Sequence, residues 1–365
     1  MRVEISPSRS ISVAILSGCL IAASGAAVTA QDEAPDLSGQ SLVISNWAEY
    51  YPPDLVDRFR EATGIDLTIA NHATNEEIVA KLTAGGDSGI DVAFVSGQFA
   101  QALAEFGVLA ELDHSQIPNL QNLYPEATQL AYDPGNVYSA PYAWGTTGLC
   151  YRSDLLSEAP TSWNDLLQPS EEASGRTTML ATERWLMLPA QKALGFSVNT
   201  TDPAEMEQVK EVLSATKDTL LTYDDTTFYS RLVSGEAVLV EAWDGWCNYG
   251  IADPDVGSDI AFVVPEEGSD LWTDTMVILD SSQNKEAAHA FIDFILDPEI
   301  HTWVVENILY KVPNQAAMEA IDPSLVETFP NLGMTPEQLF EGEELVDLGE
   351  AAPMYTQIAT EIAAQ

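Results

Sequence analysis

Residues 41–96 read SLVISNWAEYYPPDLVDRFREATGIDLTIANHATNEEIVAKLTAGGDSGIDVAFVS, and the punctuation of this stretch decides the fold. SLVISNW, IDLTIA and IDVAFVS have the β-branched and apolar composition of strands. Between the first two, PPDLVDRFREATG has proline near its start, Leu55, Val56 and Phe59 on one face, and Gly64 as a stop, which predicts a helix. NEEIVAKLTAGG predicts a second helix, closed by glycines. Strand, helix, strand, helix, strand is the order of an α/β domain, a mostly parallel sheet with helices on both faces.

From about residue 136 the texture changes. VYSAPYAWGTTGLCYR reads as extended chain crossing from one lobe to another, and TSWNDLL as the helix that follows. DIAFVVPEEGSDLWTDTMVIL is extended structure interrupted by a turn, able to carry the chain back. NKEAAHAFIDFILDPEIHTWVVEN reads as one amphipathic helix, with Ala288, Phe291, Ile292 and Ile295 at helical spacing. EGEELVDLGE, at 341–350, reads as solvated surface. Two crossings between two α/β lobes leave a cleft with a hinge, and open parallel sheets take ligands beyond the carboxyl ends of their strands.

The chain opens with Arg2 and Arg9, runs through ISVAILSGCLIAASGAAV, and reaches the small-residue site VTA before Gln31. This is the pattern of a cleaved secretory signal over residues 1–30. LSGC at 16–19 also matches a lipoprotein box at Cys19; the apolar run continues past that cysteine, which favours the soluble product. Small and hydroxyl residues interrupt the run and argue against a membrane anchor. Export leaves Cys150 and Cys247, two thiols that suggest one disulfide, with two separate buried thiols as the alternative.

The formal charge is −43, and removal of Arg2, Arg9 and Glu4 with the leader leaves 12 basic and 56 acidic residues. Such a chain lacks the clustered lysine and arginine that bind nucleic acid, and an anionic membrane would repel it. The charge attracts cations, but solubility or a saline medium accounts for it equally well. About 335 mature residues exceed one ordinary hydrophobic core and imply two lobes.

His72, His114, His289 and His301 show no short metal-ligand spacing, and no CxxC pair, Walker loop, GxGxxG or GxSxG stretch is present. Three segments instead set acids among rings: NWAEYY at 46–51, EAWDGWCNYG at 241–250 and LWTD at 271–274. That mixture suits an organic ammonium. A ring face contributes roughly 0.5 to 2 kcal/mol and a carboxylate hydrogen bond roughly 1.5 to 3 kcal/mol. Micromolar affinity needs about 8 kcal/mol; one ammonium with one acid and one ring falls short, whereas two ammonium ends and a methylene chain packed between rings can reach it.

NW-x-EY-x-PP near the mature N-terminus, SAPYAWGTTG, NTTDP, the WDG segment, LWTD and YKVPN together resemble the bacterial periplasmic spermidine/putrescine-binding proteins, soluble receptors of polyamine ABC importers. The resemblance covers nearly all of the mature chain. It implies the two-lobe periplasmic binding protein fold (type II), with a first lobe of 40–143 plus 274–312 and a second of 146–270 plus 316–365. It also implies hinge closure, no catalysis, no cofactor, a monomer in the periplasm, and an inner-membrane ABC permease as partner. By position, Trp47 and Tyr50 resemble ring contacts, Glu49 an acid facing one amine, and Ser96 a family serine. Trp243 and Trp272 would sandwich the methylene chain, Asp274 would hold an ammonium, and Tyr310 would support that carboxylate. Asp244 rests on its chemistry more than on positional match. Tyr142 and Trp144 would line the hinge.

Several positions depart from the family. Ala48 stands where a hydroxyl is common, and Gln98 where spermidine binders have tyrosine. Thr182 and Trp185 replace two acids for the far amine, and Glu183 points elsewhere on its helix. These changes favour a shorter diamine such as putrescine, with Trp185 in an aromatic cage. The alternatives are another organic cation or a solute with one amino group on the same fold, and, from another class, an acidic hydrolase using Glu49 and Asp274.

Overall fold

Three short strands seed the first sheet of the computed structural model, which describes residues 36–364; the central apolar residues Leu42 and Ile44 and the whole of 92–96 are buried. β1 (Ser41–Trp47) runs parallel to β2 (Asp66–His72) in unbroken register and to β3 (Val92–Ser96) on its other side. The expected helices lie between them. Leu55–Thr63 ends at Gly64, whose positive φ of 75° lets its N–H turn back to Arg60 O; the second, Asn75–Thr83, begins with the Thr74 hydroxyl accepting from Glu77 N. The proposed leader of residues 1–30, with Cys19, lies outside the described residues.

β4 (Ser139–Gly145) and β5 (Thr147–Arg152) are the expected crossing strand, separated by Thr146 alone. β6 (Thr177–Met179), β7 (Leu220–Tyr223), β8 (Leu239–Trp243) and β9 (Ile260–Val263) complete a second sheet, in the order β7-β6-β8-β5-β9. β10 (Asp270–Ile278) returns to the first sheet, antiparallel to both β3 and β4. A last two-residue strand, β11 (Glu343–Glu344), lies beside the start of β10. Each sheet thus has a parallel trio and antiparallel crossing strands. The two crossings are tied together where Thr146 Oγ1 donates to Asp270 O and Thr147 N to Asp270 Oδ1, both at 2.8 Å.

Three expectations change. The long amphipathic helix is two, Lys285–Leu296 and Pro298–Ile308, because Pro298 cannot donate to the preceding turn and Asp297 caps the next helix through Glu299 N and Ile300 N. TSWNDLL shortens to the single turn Asn164–Leu167. The acidic stretch 341–350 is structural: Glu343 and Glu344 pair with Asp270 and Leu271, and Leu345 is buried. Among the described residues no helix is long and apolar enough to cross a membrane.

Cys150 on β5 and Cys247 on the helix Asp244–Ile251 form a disulfide with Cα atoms 5.8 Å apart, 97 residues apart in sequence. Closing so long a loop restricts the unfolded chain and contributes about 2–5 kcal/mol. Replacing both cysteines by alanine is expected to lower the urea unfolding free energy within that range. An unchanged midpoint would show that the bridge does not constrain the unfolded state.

Candidate ligand site

Asp274 lies in the middle of β10, opposite Ser96 of β3. Its Oδ1 accepts the Ser96 hydroxyl at 2.6 Å and its Oδ2 the Tyr50 hydroxyl at 2.9 Å. Ser96 is itself fixed by Asn75, which accepts from Ser96 N at 2.9 Å and donates to Ser96 Oγ at 3.1 Å. Protein surrounds the carboxyl, and this burial raises it to about 6 although both hydroxyls pull it down. Burial and the Asp274 charge in turn push Tyr50 well above the usual phenol range. The result is an acid with two fixed donors and part of its surface still open.

Tyr50 is also the hub of a chain of rings. Trp47, Tyr142 and Tyr310 meet it nearly edge-on, with centroids 5.7, 5.5 and 5.1 Å away, and Trp272 meets Tyr310 at 5.6 Å. Tyr142 Oη donates to Tyr50 O at 2.9 Å, so this residue, expected only to line the hinge, holds the hub in place. Alternation along β10 sets Asp270, Trp272 and Asp274 on one face. Trp272 Nε1 is buried without a partner.

Asp244 enters from the second sheet, at the start of the helix after β8. It is 2% exposed, and its Oδ1 accepts Gly245 N at 2.9 Å. A side chain at Gly145 would collide with both the Asp244 carboxyl and the Trp272 ring, and one at Gly245 would collide with Tyr310. These glycines let the acid approach the rings. Burial raises the Asp244 carboxyl to about 8, against the pull of Gly245 N–H and Lys311.

The other expected residues are divided. Trp185 and Trp243 meet edge-on at 5.4 Å, and Trp185 Nε1 donates to Asp270 Oδ2 at 2.8 Å. Trp246 turns away into a cluster with Phe228, Tyr229 and Tyr249. Glu49 is exposed, on a left-handed turn with φ 61°, and it acts on Tyr249 by its charge. Asn75, Asp270, Gly145 and Gly245 were absent from the sequence expectation. Asp270 was findable by its two-residue spacing from Trp272; the glycine contacts depend on how the sheets meet. No cluster of metal-ligand side chains occurs among the described residues.

Two sheets joined by crossing strands fit a solute receptor, and the chain belongs to the bacterial extracellular solute-binding proteins, whose family model matches residues 54–322. These are substrate-binding proteins of transporters rather than enzymes, which sets the hydrolase alternative aside. The chain is 31% identical to the spermidine/putrescine-binding periplasmic protein of Salmonella typhimurium, over 92% of this chain and 95% of that one. It is likewise 31% identical to a putrescine/cadaverine-binding protein of Pseudomonas aeruginosa, over 80% and 86%. The solved spermidine/putrescine ABC transporter substrate-binding protein of Streptococcus pneumoniae superposes with a TM-score of 0.76 at 27% identity, covering 89% of this chain and 99% of that one.

Asp274 and Asp244 bind protons more tightly when folded than when unfolded, with folded values of about 6 and about 8. Their contribution to stability is complete below the unfolded carboxyl range near 4 and is lost as pH rises through those values. Chemical unfolding of the ligand-free protein between pH 4 and pH 9 should therefore show D274N and D244N gaining stability relative to wild type as pH rises. A difference independent of pH would refute the raised values.

Proposed function

We propose that this protein captures a small polyamine, a putrescine-like diamine in preference to spermidine, for delivery to an inner-membrane ABC permease. The observation that carries the reading is Asp274, a carboxylate fixed by Tyr50 and Ser96 beneath a chain of rings. One ammonium binds Asp274, the methylene chain packs on Trp272 and Trp243, and the second ammonium reaches Asp244. Trp47, Tyr50 and Tyr310 supply ring faces and edges, Trp185 closes the far end, and Glu49 draws the cation in from the rim. The sums are adequate: two charge-assisted bonds at roughly 1.5–3 kcal/mol each and two or three ring contacts at roughly 0.5–2 kcal/mol reach the micromolar range. The relatives are named for binding spermidine, putrescine and cadaverine, which supports the ligand class.

On this reading the lobes are 40–143 plus 274–312 and 146–270 plus 316–365, closing on the ligand as a monomer. The site lies where β4 and β10 cross, and closure would expel water and strengthen each charge interaction. The protein works in the periplasm after cleavage of its leader, and no cofactor takes part.

Calorimetric titration with putrescine is expected to give micromolar or tighter affinity that weakens with added salt, and D274N is expected to weaken it at least 100-fold. Unaltered affinity in D274N, or preferential binding of an acidic compound, would exclude the proposal.

A further inference from the structure

Beside Trp185 and Trp243, the second sheet holds an acid that the diamine site leaves unused. Glu241 is fully buried on β8, two residues before Trp243 and therefore on the same sheet face. Its Oε2 accepts Leu180 N at 3.0 Å, whereas Oε1 is buried with no partner. On β7, Tyr223 pairs with Met179 of the intervening strand, and its hydroxyl is also buried and unpartnered. Asp225 borders the same place, accepting Ala181 N at 2.7 Å and Thr182 Oγ1 at 3.1 Å.

Burial drives the Glu241 carboxyl well above its ordinary value despite the Leu180 N–H, and the charges of Asp225 and Asp270 push it the same way. Neither protonation state completes its hydrogen bonds. Ionised, Oε1 lacks a donor; protonated there, its O–H lacks an acceptor. A primary ammonium carries one positive charge and three N–H donors, enough to meet Glu241 Oε1 and Tyr223 Oη together. Two of the buried cations among the described residues are engaged elsewhere: Lys311 acts on Asp244, and Arg184 donates to Val198 O and Val346 O.

We propose that Glu241, with Tyr223 and Asp225, is a third ammonium seat, taking the extra terminal nitrogen of a triamine whose other nitrogens lie at Asp274 and Asp244. This rests on the polyamine reading above, though not on its preference for a diamine, which a third seat offsets. The acid comes from a strand, while the helix turn beginning at Thr182 and Glu183 contributes Trp185. That indole donates to Asp270 and meets Trp243, the residue two places beyond Glu241 on β8.

The test is calorimetry of the mature chain with putrescine and with spermidine, in wild type, E241Q and Y223F. The ratio of spermidine to putrescine affinity is expected to fall at least tenfold in E241Q and at least threefold in Y223F. Thermal denaturation establishes that each variant is folded; Y223F removes one hydroxyl and carries the test alone if E241Q does not fold. An unchanged ratio, or a wild type that binds putrescine but not spermidine, overturns the third seat while the diamine reading stands. Failure of wild type to bind either amine overturns both.

Discussion

A carboxylate among aromatic rings needs replacements for the water it has lost, and at Asp274 two hydroxyls provide them. Much of the first sheet serves that arrangement. The antiparallel register of β3 and β10 brings Ser96 opposite Asp274, Asn75 orients Ser96 from the preceding helix, and Tyr142 fixes the backbone of Tyr50. The hydroxyls hold the acid in place without neutralising it, so the site retains a demand for positive charge. Rings around it supply negative faces and apolar walls, a combination that favours an organic ammonium over a hydrated metal ion.

The second sheet meets this centre across one short crossing. Thr146 and Thr147 both bind Asp270, whose other oxygen holds Trp185, so the backbone junction and the far end of the ring chain share one buried acid. Gly145 and Gly245 leave the room that lets Asp244 lie against Trp272 and the helix after β8 lie against Tyr310. The disulfide pins that helix to β5. Motion between the lobes would therefore bend the chain close to the site itself, where small changes in the crossing move both acids relative to the rings.

Much of the fold was legible because its signals are local. Gly64 stops the first helix, and the strand readings at 41–47, 65–70 and 90–96 fall on β1, β2 and β3. The missed break at Asp297 was also local, a capping acid followed by proline, and was masked by continuous apolar spacing across it. The role of Glu343 and Glu344 was not legible, because acidic residues read as surface unless a distant strand edge takes them up. Trp47, Tyr50, Ser96, Trp272, Asp274 and Tyr310, each named in the motif segments, are linked by ring contacts and by the hydrogen bonds of Asp274. Asp270 is signalled by its spacing from Trp272, whereas the significance of Glu241 lies in an oxygen left without a partner, which sequence does not show.

On the proposed reading, an ammonium pairs with carboxyls that burial has made reluctant to ionise. At pH 7 Asp274, near 6, is largely charged, whereas Asp244, near 8, is largely protonated. A diamine spanning both must expel the proton from Asp244. Titration of putrescine at pH 7 in two buffers of different ionisation enthalpy measures this directly: about one proton should be released per ligand bound, and the release should vanish in D244N. Binding heats that are identical in both buffers, or that report proton uptake, would contradict the account.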